Sequence, residues 1–181
     1  RSRWKATDLA SPQFSVHSNP EEVRSAVEEI GLPCILKPAH GIGGGSRGVS
    51  VITSDDELAT ALNFATTAYE DQSVIVEEFI PGDSEHSCEI LISEGRARVI
   101  AIGDKIKSAL PYRVDQSVIY PTALSAAVVA EVENVAQVAT ASLGLSVGTA
   151  HLEFSVGPRG IVLFEIGARC GGGATPEPIV R

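Results

Sequence analysis

The sequence predicts an α/β (α+β) protein, and three observations predict it. In the first half, short β-branched runs alternate with two amphipathic helix signals. In the second half, two tight turns, at Glu94-Gly95 and at 157–160, each join a pair of apolar strands into a hairpin. A strongly apolar helical segment lies between those hairpins.

Taken in order, Ser18, with Pro20 in the first turn and Glu21 three residues on, starts a helix that Gly31 ends. Val23, Ala26, Val27 and Ile30 form its apolar stripe. It feeds the strand PCILKPA, after which a glycine-rich loop leads into the strand GVSVI. The S-D-D-E run at Ser54 is a capping box for a helix from about Asp55 to Tyr69, with Leu58, Leu62 and Ala65 inward. The strand SVIVEEFI and the turn IPGD at 80–83 follow. SCEILIS and RARVIAIG make the first hairpin, and DKIKSALPYRVDQSVIYP is a longer loop. The segment from Ser125 to Leu143 is a helix with Val128, Val132, Val135, Val138 and Ala139 apolar, ended by Gly144. The hairpin of TAHLEFSV and GIVLFEIGAR completes the series, with no internal repeat.

With 181 residues, 44% hydrophobic and 20% charged, the chain has the composition of a soluble globular domain. A net charge of -9 argues against a nucleic-acid or anionic-membrane surface. No apolar run approaches the ~20 residues needed to span a bilayer, and the first residues, RSRWKATDL, contain no apolar signal core, so the expected location is cytoplasmic. Cys34, Cys88 and Cys170 are widely spaced without a C-x-x-C pair, which indicates reduced thiols and neither disulfides nor zinc. The absence of methionine, and an ending just after a glycine-rich loop, give the expectation of a processed protein or a piece of a longer one. The sequence leaves the oligomeric state open and allows a homo-oligomer.

The stretch LKPAHGIGGGSRGVSV needs a bare backbone for some purpose. Gly43, Gly45 and Gly48 have the G-x-G-x-x-G spacing of a dinucleotide-binding turn, but that turn opens a helix and here a strand follows. The G-K-[ST] ending of the phosphate loop is also missing. What remains is a flexible hairpin, including Gly43, Gly44, Gly45 and Ser46, able to fold over a ligand.

Several charged residues interrupt apolar strands. Glu153 in HLEF and Glu165 in LFEIG would each cost several kcal/mol if buried ionised and alone. A divalent cation would offset that cost, because Mg2+ takes carboxylate oxygens and fills its remaining positions with water and phosphate; either Glu facing solvent is the plainer alternative. Lys37 closes an apolar strand just before the loop and could reach a phosphate, or simply extend its stem over the surface. Backbone from Glu77 through Glu78 to Ile80 could meet an adenine edge. Glu85 and Glu89, four apart on a strand, share a face, and one could accept from ribose hydroxyls. Arg169, beside Gly171 to Gly173, suits a carboxylate or acyl phosphate. His151 shares the face of Glu153 and is as readily structural as functional. Cys170 invites a nucleophile reading, against which a small space-filling thiol is preferred.

The ordered set GLPCILKPAHGIGGGSRGVSVI, VIVEEFIPGDSEHSCEI and GTAHLEF followed by FEIGARCGGG resembles the ATP-grasp superfamily. The resemblance covers nearly the whole chain. It implies two α/β subdomains with antiparallel sheets gripping ATP between them, divided as 1–82 with the glycine-rich lid and 83–181 with the metal-binding hairpin. It implies ATP and Mg2+ as cofactors, with Mn2+ as an alternative metal, and Lys37 on nucleotide phosphate together with the loop amides. It further places adenine at Glu77 to Ile80, ribose at Glu85, the metal at Glu153 and Glu165, and Arg169 at the reacting group. Many members carry E-x-N-P-R where this chain has Glu165-Ile166-Gly167-Ala168-Arg169, which removes the asparagine ligand of a second metal. The other ATP-contacting lysine of the superfamily would precede Arg1.

Within the superfamily the chain looks most like the L-amino-acid ligase type. That implies a small-molecule carboxylate activated as an acyl phosphate and coupled to an amine. The alternatives are a purine-biosynthesis or biotin-carboxylase-like enzyme, a regulatory module that binds ATP without turnover, and a structural hairpin with solvent-facing acids.

Overall fold

A computed structural model describes Trp4 and residues 7–40, 46–70, 72–81 and 84–172. The chain divides into two units, one of Pro12–Pro81 with Lys107–Gln116, the other of Arg1–Ser11, Gly82–Ile106 and Ser117–Arg181.

In the first unit a four-stranded sheet is built from β1 (Phe14–His17), β2 (Cys34–Pro38), β3 (Ser50–Ile52) and β4 (Val74–Glu78) in the order β1-β4-β2-β3. The assigned pairs are antiparallel. Helix α1 (Pro20–Ile30) begins one residue later than the sequence suggests. Asn19 is the cap, its side chain accepting the Glu21 N–H at 2.8 Å, while the Ser18 hydroxyl bonds instead to Ser73. Gly31, at φ 85, closes the helix, a left-handed backbone that glycine adopts without a Cβ penalty. Before helix α2 (Leu58–Thr67) the chain makes a 3-10 turn at Asp55–Glu57. There the Glu57 carboxylate accepts the N–H groups of Thr53 and Ser54. The two helices and the sheet enclose Val23, Ala26, Val27, Leu36, Ile52, Leu58, Ala61, Ala65, Val74 and Val76.

Gly48 lies at the exit of the glycine-rich loop with φ 78, and a Cβ there would stand 2.8 Å from both the Ala68 Cβ and the Pro38 Cγ. Close packing thus demands this glycine. Gly43, Gly44 and Gly45 lie outside the described residues, and part of the IPGD turn does as well.

In the second unit β5 (Glu85–Ser93) and β6 (Arg96–Lys107) pair antiparallel through the tight turn at Glu94 and Gly95, both at positive φ. With β7 (Asp115–Ile119), β8 (Gly148–Gly157) and β9 (Gly160–Gly167) they form a five-stranded sheet in the order β7-β6-β5-β8-β9. Helix α3 (Ala126–Ser142), capped by the Ser125 side chain, covers one face with Val132, Ala136 and Ala139 buried. Ile90, Ile92, Ile102, Leu152, Phe154, Leu163 and Trp4 complete that core.

Two expectations need correction. The run DKIK continues β6 and 115–119 is a strand, because period-2 alternation persists past the point where the charged residues suggest a loop. Val138 is exposed: the buried stripe of α3 runs through Ala136 and Thr140 instead. Phe14–His17, to which the sequence assigns no element, pairs with β4 and fills the edge beside it. Among the described residues no helix is long and apolar enough to cross a membrane.

Candidate functional site

Alternation along β5 and β8 gives the five-stranded sheet one apolar and one polar face. Opposed residues share a face, and the register pairs Glu85 with Ser155, Ser87 with Glu153 and Glu89 with His151. On the next strand Glu153 is directly opposite Glu165. The two acids expected to hold metal are therefore brought together across adjacent strands, beside a register shift that follows Glu153. Glu165 is exposed and Glu153 partly buried.

Glu153 is not alone. Its Oε1 lies 2.6 Å from Lys105 Nζ and accepts from His151 Nε2 at 3.3 Å. Lys105, on β6, reaches it over β5, the strand between them, where the small side chain of Ser87 stands opposite Glu153. The other nitrogen of His151 donates to Glu89 at 2.7 Å, and the second Glu89 oxygen accepts the Gly171 N–H at 3.0 Å. A polar chain thus runs from the glycine-rich end of the described chain through Glu89 and His151 to Glu153 and Lys105. A Cβ on Gly171 would stand 2.8 Å from His151 Nδ1 and collide with Glu89, so only glycine closes this junction.

The charges follow from these partners. Burial works against a charged His151, but its hydrogen bonds to Glu153 and Glu89 push its pKa up to about 9, so it is an imidazolium at neutral pH. Burial likewise opposes the Glu153 carboxylate, yet the hydrogen bond to His151 and the Lys105 ammonium hold it well below the usual range. Glu89 is lowered in the same way, against its burial, by His151 and the Gly171 amide. All three groups are ionised together.

On the neighbouring strands Ser84, Glu85, His86, Asp104, Lys105, Ala123 and Leu124 line an open cleft of about 440 Å3. Asp104 accepts from His86 Nδ1, the Thr122 hydroxyl and the Ala123 N–H, which hold it below the usual range despite partial desolvation. The Ser84 hydroxyl meets His86 Nε2 at 2.5 Å. Glu85, expected at ribose, lies in this cleft; Glu89 is committed to His151 and Gly171.

In the other unit Lys37 Nζ pairs with the buried Glu77 carboxylate at 2.7 Å. The Glu78 N–H donates to the Gln13 carbonyl, and the Glu78 carboxylate accepts the Gln13 N–H, so backbone beyond the paired strand begins at Phe79 and Ile80. Ser46 has φ 56 and is the described end of the glycine-rich loop. Arg169 is exposed, donates to the Cys170 carbonyl at 2.9 Å, and packs its stem beside Gly167.

The sequence reading missed Lys105, the Glu89 to Gly171 link and the His86 to Asp104 pair. Their only sequence signal is polar residues at alternate positions of apolar strands. The donor set fits a hard divalent cation, since Glu153 and Glu165 offer carboxylate oxygens from paired strands. Among the described residues no group of three or more His, Cys, Asp or Glu is assembled as a metal cage.

Thiol chemistry gives a direct check on this packing. Burial pushes the Cys34 thiol up to about 11, and burial with the adjacent Glu89 charge pushes Cys88 up further, whereas Cys170 is exposed. Reactivity follows the thiolate. A disulfide-exchange reagent should therefore titrate one thiol quickly in the native protein and all three in denaturant.

The family described as ATP-grasp domain matches residues 30–177. An uncharacterised protein of Sinorhizobium fredii is 30% identical over 176 residues, covering 95% of this chain and 35% of that protein. A formate-dependent phosphoribosylglycinamide formyltransferase of Anaeromyxobacter dehalogenans is 44% identical over 79 residues, which are 42% of this chain and 20% of that protein. This chain thus spans well under half the length of these curated relatives. The crystal structure of an L-amino acid ligase from Bacillus licheniformis superposes with a TM-score of 0.80 at 25% identity, over 99% of this chain and 41% of that one.

Proposed function

Because this chain belongs to the ATP-grasp family, we propose that it is the nucleotide-binding part of an ATP-dependent ligase. The reaction activates a carboxylate as an acyl phosphate and couples it to an amine, an amino acid being the favoured substrate. The observation that carries this reading is the direct opposition of Glu153 and Glu165 on β8 and β9.

A substrate carboxylate oxygen attacks the γ-phosphorus of ATP, the bond to the bridging oxygen breaks, and ADP leaves. The amine then attacks the acyl carbon, loses a proton, and phosphate departs. No protein nucleophile is needed, so positioning and charge neutralisation do the work. Glu153 and Glu165 hold Mg2+, which when bound neutralises phosphate charge. Lys37 and the loop amides from Gly43 to Ser46 take the phosphates. Ile80 and the neighbouring backbone take adenine, with Glu77 and Glu78 ordering that strand, and Glu85 accepts from ribose. Arg169 meets the negative charge that develops on the transferred group. The Glu89 to Gly171 hydrogen bond anchors the loop that carries Arg169. The glycine hairpin excludes water from the acyl phosphate.

The 44% identity with the formyltransferase favours a second reading, in which the carboxylate is formate and the amine belongs to a purine precursor. The test is ADP release by the full-length protein with Mg-ATP and amino acids singly and in pairs, beside formate with purine-precursor amines. Stimulation by particular amino-acid pairs supports the first reading, and stimulation by formate with a purine-precursor amine but by no amino-acid pair supports the second. ATP binding with no release under any substrate would leave a binding module.

A further inference from the structure

Lys105 is almost fully buried along its side chain, yet its ammonium sits 2.6 Å from a carboxylate to which the proposed function gives a metal. His151 donates to the same oxygen, Oε1. The Lys105 ammonium already compensates Glu153, so a divalent cation arriving there meets a positive charge before any nucleotide is considered. Like charges sharing one carboxylate repel strongly where solvent is largely excluded. The two partners of Oε1 are mounted differently. His151 is held from its other side by Glu89, whereas Lys105 reaches Oε1 on a four-carbon stem and also lines the open cleft beside Glu85 and Asp104. Lys107, two residues on, is committed to Asp115 at 2.6 Å.

We infer that Lys105 holds the metal's place on Glu153: its ammonium neutralises the carboxylate in the empty site and withdraws into the cleft when the cation binds. This rests on the metal role of Glu153 in the proposed function. Lys105 then sets how tightly the site takes metal, keeping affinity low until it is displaced. A purely structural ion pair has the opposite signature, since breaking it loosens the site.

The test is binding of Mn2+ alone to the full chain, without nucleotide, followed by the electron paramagnetic resonance signal of free Mn2+. Lys105→Met and Lys105→Gln should each bind Mn2+ at least about tenfold more tightly than wild type. Lys107→Met should match wild type, and adding Glu153→Gln to Lys105→Met should remove the gain. Unchanged or weaker binding by folded Lys105 variants, while Glu153→Gln abolishes it, would overturn the inference and leave the ligase reading standing. Failure of both Lys105 variants to fold, judged by circular dichroism, would also overturn it by making the pair structural. Absence of Mn2+ binding in every variant would remove the metal role itself, which the ADP-release assay then judges independently.

Discussion

Glu165→Gln should lower metal-dependent ADP release by more than about 100-fold, since loss of even the outer partners of metal ligands costs about 10- to 100-fold. Its melting temperature should stay within about 2 °C of wild type, because a surface change typically alters stability by no more than about 0.5 kcal/mol. The pairing of these outcomes is what matters. Glu165 is exposed, directly opposite Glu153, and can be neutralised without leaving a cavity. Loss of turnover with the fold intact would mark it as a ligand. Retained turnover would make it a solvent-facing carboxylate and remove half of the proposed metal site. Glu153→Gln should lower turnover similarly and also lower the melting temperature, because Lys105 and His151 both lose a charged partner.

Lys37→Met should destabilise the protein by about 3 kcal/mol, a shift of roughly 6–12 °C in melting temperature for a chain of this length. Lys37 Nζ is 2.7 Å from Glu77, whose side chain is only 3% exposed, so the variant takes a cationic partner from a buried carboxylate. Nucleotide affinity should fall as well if Lys37 meets phosphate. The double variant Lys37→Met with Glu77→Leu separates the effects. Replacing both members of a buried pair with apolar groups is often neutral or stabilising, so the melting temperature should recover while ADP binding, measured by calorimetry, stays weak. Recovery of both would show the lysine to be only a partner of Glu77.

Much of the fold is legible locally. The stop at Gly31, the capping box at Ser54 and the turn at Glu94-Gly95 each depend on φ/ψ preferences or hydrogen bonds spanning a few residues, and each is found where the sequence puts it. The opposition of Glu153 and Glu165 is not readable in this way: the tight turn at 157–160 by itself sets Glu153 against Phe164, and the register shift after Glu153 brings Glu165 there instead. Asn19 displaced Ser18 as cap because two neighbouring cap residues offer the same chemistry, and only the Ser18 contact with Ser73 decides between them.

By itself, then, the sequence determined the hairpins and the helices, which are matters of period and turn chemistry, and put one acid on each strand of the last hairpin. Tertiary structure decided what those acids touch. Lys105 meets Glu153 only because β5 lies between β6 and β8, and Glu89 meets His151 and the Gly171 amide across separations of 62 and 82 residues. β1 finds its place beside β4 in the same way, and Trp4 its place in the core of the other unit. The physical reason is range: backbone preferences act over a turn or two, whereas the charge on a carboxylate depends on whatever strand order brings within about 4 Å of it.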